Sequence, residues 1–256
     1  MPIEAVLEAH SAAREQVLSD VKDILTESWL GLGSWDQEDV ADFVEQAEPT
    51  VNAGQDLTGM LVDQYVSESL SELTKQLVIP RGIPSMTNLR GTPFSEVYAR
   101  PFVEVWTNLR DGQPFEVALE RGLDRLTRLG EDDLTLAYRE ATRVSLSRNG
   151  VTFYRRVIRP ELSGAVCGLC VAASGQRYKS DQLMPIHTHC RCAVMPIIDG
   201  ADPGREINGQ DIDSLYREAS KNGRTAKELS NTKFTLHEHG ELGPMLMPKG
   251  QQFATL

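Results

Sequence analysis

Every cysteine of the chain falls in one of two short stretches, VCGLC at residues 166–170 and HTHCRC at residues 187–192. Six side chains that bind soft metals therefore sit within 26 residues, and a chain that brings them together must bend sharply around something that holds them. Cys167 and Cys170 are spaced C-x-x-C, a turn in which two sulfurs face one ion while backbone amides donate hydrogen bonds to them. His187, His189, Cys190 and Cys192 complete the two-knuckle spacing of structural zinc sites. Disulfides are the competing reading. The start MPIEAVLEAHSAAREQ carries three acidic residues and no signal-peptide pattern, so the expected compartment is a reducing cytosol, which disfavours disulfides. No thioredoxin-like βαβ pattern surrounds the C-x-x-C, which disfavours redox chemistry.

Zinc takes four ligands where six are offered. Cys167, Cys170 and Cys190 are expected in the set. For the fourth place, His187 lies one turn before Cys190, and Cys192 forms a C-x-C that converges when the chain bends; spacing leaves both open. His189, adjacent to Cys190, points away in an extended segment and reads as a surface or outer-sphere residue. A catalytic zinc keeps a water position and needs a general base, yet Asp181 is the lone carboxylate of residues 164–196. The H-x-E of zinc deaminases does not precede Cys167, and HEHGE at residues 237–241 is not H-E-x-x-H. The site reads as structural.

The rest of the chain predicts a mainly α fold: a helical N-terminal region, then a small α+β zinc-knuckle module and a partly irregular C-terminal tail. Val6, Val17, Val21, Ile24 and Leu25 form one stripe at the helical period; Leu57, Leu61, Tyr65, Leu70, Leu73 and Leu77 form another, with Asp56 as its expected N-cap after a break at Pro49 and Gly54. The Pro- and Gly-rich run of residues 79–94 predicts an extended connector. Helices are expected over 95–110, 114–129 and 132–148, with Pro114 in a first turn and Asp132 and Asp133 at a positive helix end. VTFYRRVI, residues 151–158, has the bias of a strand. Residues 201–210 read as a linker, 212–223 as a short helix, and 235–253 as an irregular tail. The domain reading is thus residues 1–80, 81–150, 151–198 and 199–256. Trp29, Trp35 and Trp106 are expected as core or subunit-contact residues.

Charge is unevenly spread. Residues 1–80 hold sixteen acidic residues against three basic ones, a net −13 in a chain of net −11. That region repels nucleic acid. Residues 151–198 net +4, and Arg155, Arg156, Arg159, Arg177 and Arg191 are candidate contacts for DNA or for an acidic protein face. The acidic helices, in turn, suit a basic partner surface. No stretch approaches the roughly 20 apolar residues of a membrane helix.

The full signature, C-G-L-C-x-A-A-S-G-Q-R-Y at residues 167–178 and L-M-P-I-H-T-H-C-R-C-A-V-M-P-I at residues 183–197, resembles the Mu-F-like minor head proteins of tailed phages. Cys167, Cys170, Gly175, Tyr178, Pro185, His187, Cys190, Cys192 and Pro196 match its pattern, whereas His189 does not belong to it. YARPFVEVW at 98–106, YRRVIRPELSG at 154–164 and HGELGPML at 239–246 are similar to the branch found in phages of actinobacteria. The resemblance spans about residues 95–250. It implies a minor capsid protein of the virion that acts at the portal vertex in head assembly and passes through the host cytoplasm. Its implied partners are the portal protein, the major capsid or scaffold protein, and packaged DNA. The protease or toxin domains fused to some members do not fit in the 56 residues after residue 200, so no enzyme activity is expected. The alternative is a zinc-dependent nucleic-acid-binding protein or nuclease acting on phage DNA.

Overall fold

The computed structural model describes residues 1–159, 168–182, 190–209, 234–239 and 243–250. Three long helices, α1 (Ile3–Leu30), α2 (Gln37–Thr74) and α5 (Phe115–Arg148), form its body, with α3 (Phe94–Tyr98) and α4 (Arg100–Arg110) between the last two. The short connection from Leu30 to Gln37 folds α2 back along α1. The first half of α1 therefore meets the second half of α2, packing Val6 and Leu7 with Val62, Val66 and Leu70. At the other end Val17, Leu25 and Trp29 pack with Phe43 and Val51. α5 adds Leu126 and Leu129 to the second core and Ala137, Tyr138 and Ala141 to the first. Asp36 caps α2, its carboxylate accepting from the amides of Glu38 and Asp39 at 2.9 and 3.1 Å. Among the described residues no helix is long and apolar enough to cross a membrane.

The helices are longer than their sequence punctuation suggests. Pro49 and Gly54 lie inside α2. Pro49 is exposed, and Gly54 sits where a Cβ would come within 2.6 Å of Val21, so its small side serves a helix crossing and does not break the helix. Asp56 is consequently not an N-cap; it accepts from the Ser85 hydroxyl and the Met86 amide of the connector at 2.8 and 2.9 Å. The helices expected over 114–129 and 132–148 are one, and Asp132 and Asp133 are buried in its middle instead of lying at a helix end. The helix expected over 95–110 divides at Ala99. Ile24, Leu57 and Leu77 are exposed, off the stripes their spacing assigns. The connector does not separate one core from the next, since Met86 joins the first and Phe94, Val97 and Tyr98 the second. Trp29 makes edge contacts with Trp35, Phe43 and Phe102, and the Trp106 indole donates to the Trp35 carbonyl at 2.9 Å, so all three tryptophans serve packing.

After α5 the chain forms an antiparallel sheet of order β2–β1–β3: β1 (Phe153–Val157), β2 (Arg177–Lys179) and β3 (Ala193–Ile197). Tyr154 stands opposite Tyr178 on one side and Pro196 on the other. Tyr154, Val157 and Ala193–Met195 join the core built by Val6, Val62 and Tyr138, which seats the sheet on the bundle. α6 (Gly168–Ser174) precedes β2. Residues 203–209, expected as linker, are helical, and Asn208 binds the backbone at the end of β1 by donating to the Arg156 carbonyl at 2.7 Å and accepting from the Ile158 amide at 3.1 Å. Within the expected irregular tail, β4 (Phe234–His239) and β5 (Gly243–Pro248) pair antiparallel. The helix expected over 212–223 lies outside the described residues.

Candidate metal centre

Cys170 rides on α6, while Cys190 and Cys192 lie on the segment that enters β3. The β1–β3 pairing fixes where that segment starts, and α6 packs against β1, so sequence-distant thiols meet above one end of the sheet. All three are buried, and their sulfurs lie within 4.8 Å of one another. The Cys170 and Cys190 sulfurs are 3.7 Å apart. A disulfide needs about 2.0 Å. Zinc–thiolate bonds of about 2.3 Å at the tetrahedral angle place neighbouring sulfurs about 3.8 Å apart. The donor set therefore fits a tetrahedral thiophilic ion. Cys167, His187 and His189 lie outside the described residues.

Electrostatics agree with that fit. A hydrogen bond involving Cys170 pulls the Cys192 thiol's pKa down, but the one with Cys190, burial and the charge of Cys190 prevail and push it well above the ordinary value. Crowded thiols of this kind stay protonated without a counter-charge, and a bound divalent ion deprotonates them. Arg156, 3% exposed, faces the cluster. Burial works against its charge, while Tyr154 and the three cysteines favour it when they are ionised, and its pKa moves upward.

The cysteine segment is fastened to the helices. Arg14 of α1 donates to the Cys190 carbonyl at 3.1 Å and lies 4.1 Å over the Tyr138 ring of α5. The Tyr138 hydroxyl accepts from the Val194 amide at 3.2 Å. Between the cysteines, Arg191 is ion-paired with Glu15 of α1 at 3.1 Å and Glu131 of α5 at 2.6 Å. His10 stacks on Tyr65 at 4.2 Å beneath this layer. Apart from Arg191, sequence reasoning misses these residues. A signal is present: His10, Ser11 and Arg14 occupy the buried stripe of α1 between Leu7 and Val17, where polar residues need partners.

The arginines depart from their expected surface role. Arg155 is buried, held by both carboxylate oxygens of Asp202 at 2.6–2.9 Å and by the Ser174 carbonyl. Arg156 is buried at the cluster, Arg191 is committed to two glutamates, and Arg159 is half-buried with its guanidinium on the Ser11 hydroxyl at 2.9 Å. Arg177 alone of the five is exposed, lying over the Phe153 ring. Asp202, Glu15 and Glu131, far away in sequence, neutralise Arg155 and Arg191, whereas Arg177 keeps its charge at the surface. Compared with known proteins, the chain matches no family model, no curated protein and no solved structure.

Proposed function

We propose that this chain is a structural minor head protein of a tailed phage, acting at the portal vertex, and that its cysteine cluster holds one structural zinc ion. The reading is carried by the meeting of Cys170, Cys190 and Cys192 at thiolate-site spacing, because these are three of the four cysteines of the segment that resembles the Mu-F-like signature. Cys170, Cys190 and Cys192 would hold the ion with Cys167 or His187 as fourth ligand. Zinc would supply folding energy by tying α6 to the entry of β3, two segments with little apolar surface of their own. The acidic helices would face a basic surface of portal or scaffold. The burial of Arg155 and Arg156 favours this adaptor over the DNA-binding or nuclease alternative.

Metal analysis of recombinant protein and of purified particles, with cryo-EM localisation of the chain, tests the metal centre and the head role together. One zinc per chain and density beside the portal are expected. Metal-free protein with reactive thiols would overturn the zinc centre; absence from particles would overturn the head role. Cys167→Ser and His187→Ala, each read for retained zinc, identify the fourth ligand.

A further inference from the structure

On the side of the bundle, the second half of α2 and residues 77–83 of the connector enclose an open groove of about 720 Å³. Its wall includes four strongly exposed apolar side chains: Leu77 at 88%, Met1 at 71%, Met60 at 66% and Ile79 at 66%. Single exposed apolar residues are ordinary, but four converging on one cavity leave apolar surface that a partner can cover.

The groove is preformed. Pro80 and Pro84 keep Ile79 and Ile83 out of the helical region. The connector is pinned to α2 by side chains: the Val78 amide donates to Ser71, that of Gly82 to Asp63 and that of Met86 to Asp56, at 2.8, 2.8 and 2.9 Å. The intervening amides of Leu77, Ile79 and Arg81 make no backbone hydrogen bond among the described residues, which leaves a short unpaired edge beside the apolar wall.

Charge indicates what would occupy it. All ionisable side chains lining the groove are acids, namely Asp63, Glu68 and Glu72. Asp63 is engaged by Gly82 and Ser145, and Glu72 by Lys75 and the terminal amino group. Among the described residues Glu68 meets only the Gln64 amide, at 2.8 Å, and has no cationic partner. Arg81 turns away to the Arg148 carbonyl. We infer that this groove docks an extended segment of a partner protein in which apolar residues alternate with lysine or arginine. The apolar side chains fill the space among Met60, Leu77 and Ile79, the segment's backbone pairs with the free connector edge, and its cations meet Glu68. The inference is independent of the metal centre and of any role in a phage head.

Fluorescence anisotropy of the full chain with a labelled peptide alternating leucine and lysine tests it, using a leucine–glutamate peptide as control. Saturable binding of the lysine peptide is expected, weakened at least tenfold by Leu77→Asp and by Met60→Asp and weakened by Glu68→Lys, with no binding of the glutamate peptide. These positions are exposed or half-buried, so unchanged circular dichroism and Tm certify the fold. Equal binding of both peptides, or variants that bind like the parent, would overturn the proposal. So would a self-associated parent that Leu77→Asp converts to monomer in light scattering, because a second copy would then be the occupant.

Discussion

Asp133 accepts from Arg90 Nε at 2.7 Å and from the Tyr98 hydroxyl at 2.8 Å, in the middle of α5 with both ionic partners about 95% buried. An arginine so placed is tolerable only beside its carboxylate, so removing the acid leaves a buried cation unpaired. Asp133→Ala is expected to lower unfolding free energy by about 3–5 kcal/mol, measured by urea denaturation. A loss below about 1 kcal/mol would mean that Arg90 finds water. His10 makes the pH-dependent counterpart. Burial first, then the charges of Arg14 and Arg159, hold its pKa down at about 3 against an ordinary 6.5, with only a backbone hydrogen bond to Leu61 opposing. The unfolded chain takes up a proton that the folded one refuses, so this contribution is intact above pH 6.5 and is lost as pH falls toward 3. At about 1.4 kcal/mol per pH unit the total is of order a few kcal/mol. His10→Phe keeps the stacked ring and cannot titrate. In chelated protein it should flatten the stability profile between pH 6.5 and 4; an unchanged acid limb would rule out His10 as its source.

Helix contacts, more than helix propensities, decide where the elements begin and end. At Gly122 of α5 an added Cβ would lie 2.6 Å from Val105, 2.7 Å from Trp29 and 3.1 Å from the Pro101 carbonyl oxygen. Alanine gains about 1 kcal/mol in helix propensity, but overpacking costs about 1–3 kcal/mol and a backbone oxygen cannot rotate aside. Gly122→Ala should therefore lower Tm, and a raised Tm would show that α4 can shift outward. The same physics separates what the sequence disclosed from what it hid. Helical periodicity and the four cysteines were legible, because both are local patterns. Gly54 reads locally as a breaker, yet its smallness answers Val21 on another helix. Asp132 and Asp133 read as dipole partners, whereas the demand for Asp133 comes from Arg90, which lies in the connector. The arginines of residues 151–198 read as a surface charge, since Asp202, Glu15 and Glu131 are not visible as partners until the chain folds.

At the scale of the molecule, the cysteine cluster and the bundle share contacts that would couple their unfolding. Arg14 reaches the Cys190 carbonyl, Tyr138 holds the Val194 amide, and Arg191 joins Glu15 and Glu131, so residues 190–194, which carry two of the clustered cysteines, contact both α1 and α5. A knuckle tethered only by a linker would unfold alone on chelation and leave the helices untouched. If the cluster holds the proposed ion, its loss should return three crowded thiols to the interior and loosen β3, which shares the core of Val6, Tyr65 and Tyr138. Stripping the metal with a high-affinity chelator is therefore expected to lower the Tm of the helical signal, followed by far-UV circular dichroism, through a single transition. Arg191→Ala should reduce that shift while leaving zinc stoichiometry unchanged, because it cuts the fastening without touching a thiol. An unchanged helical Tm on metal removal would show that the cluster and the bundle fold independently. A parent-like shift in the Arg191 variant would place the coupling in Arg14 and Tyr138 instead.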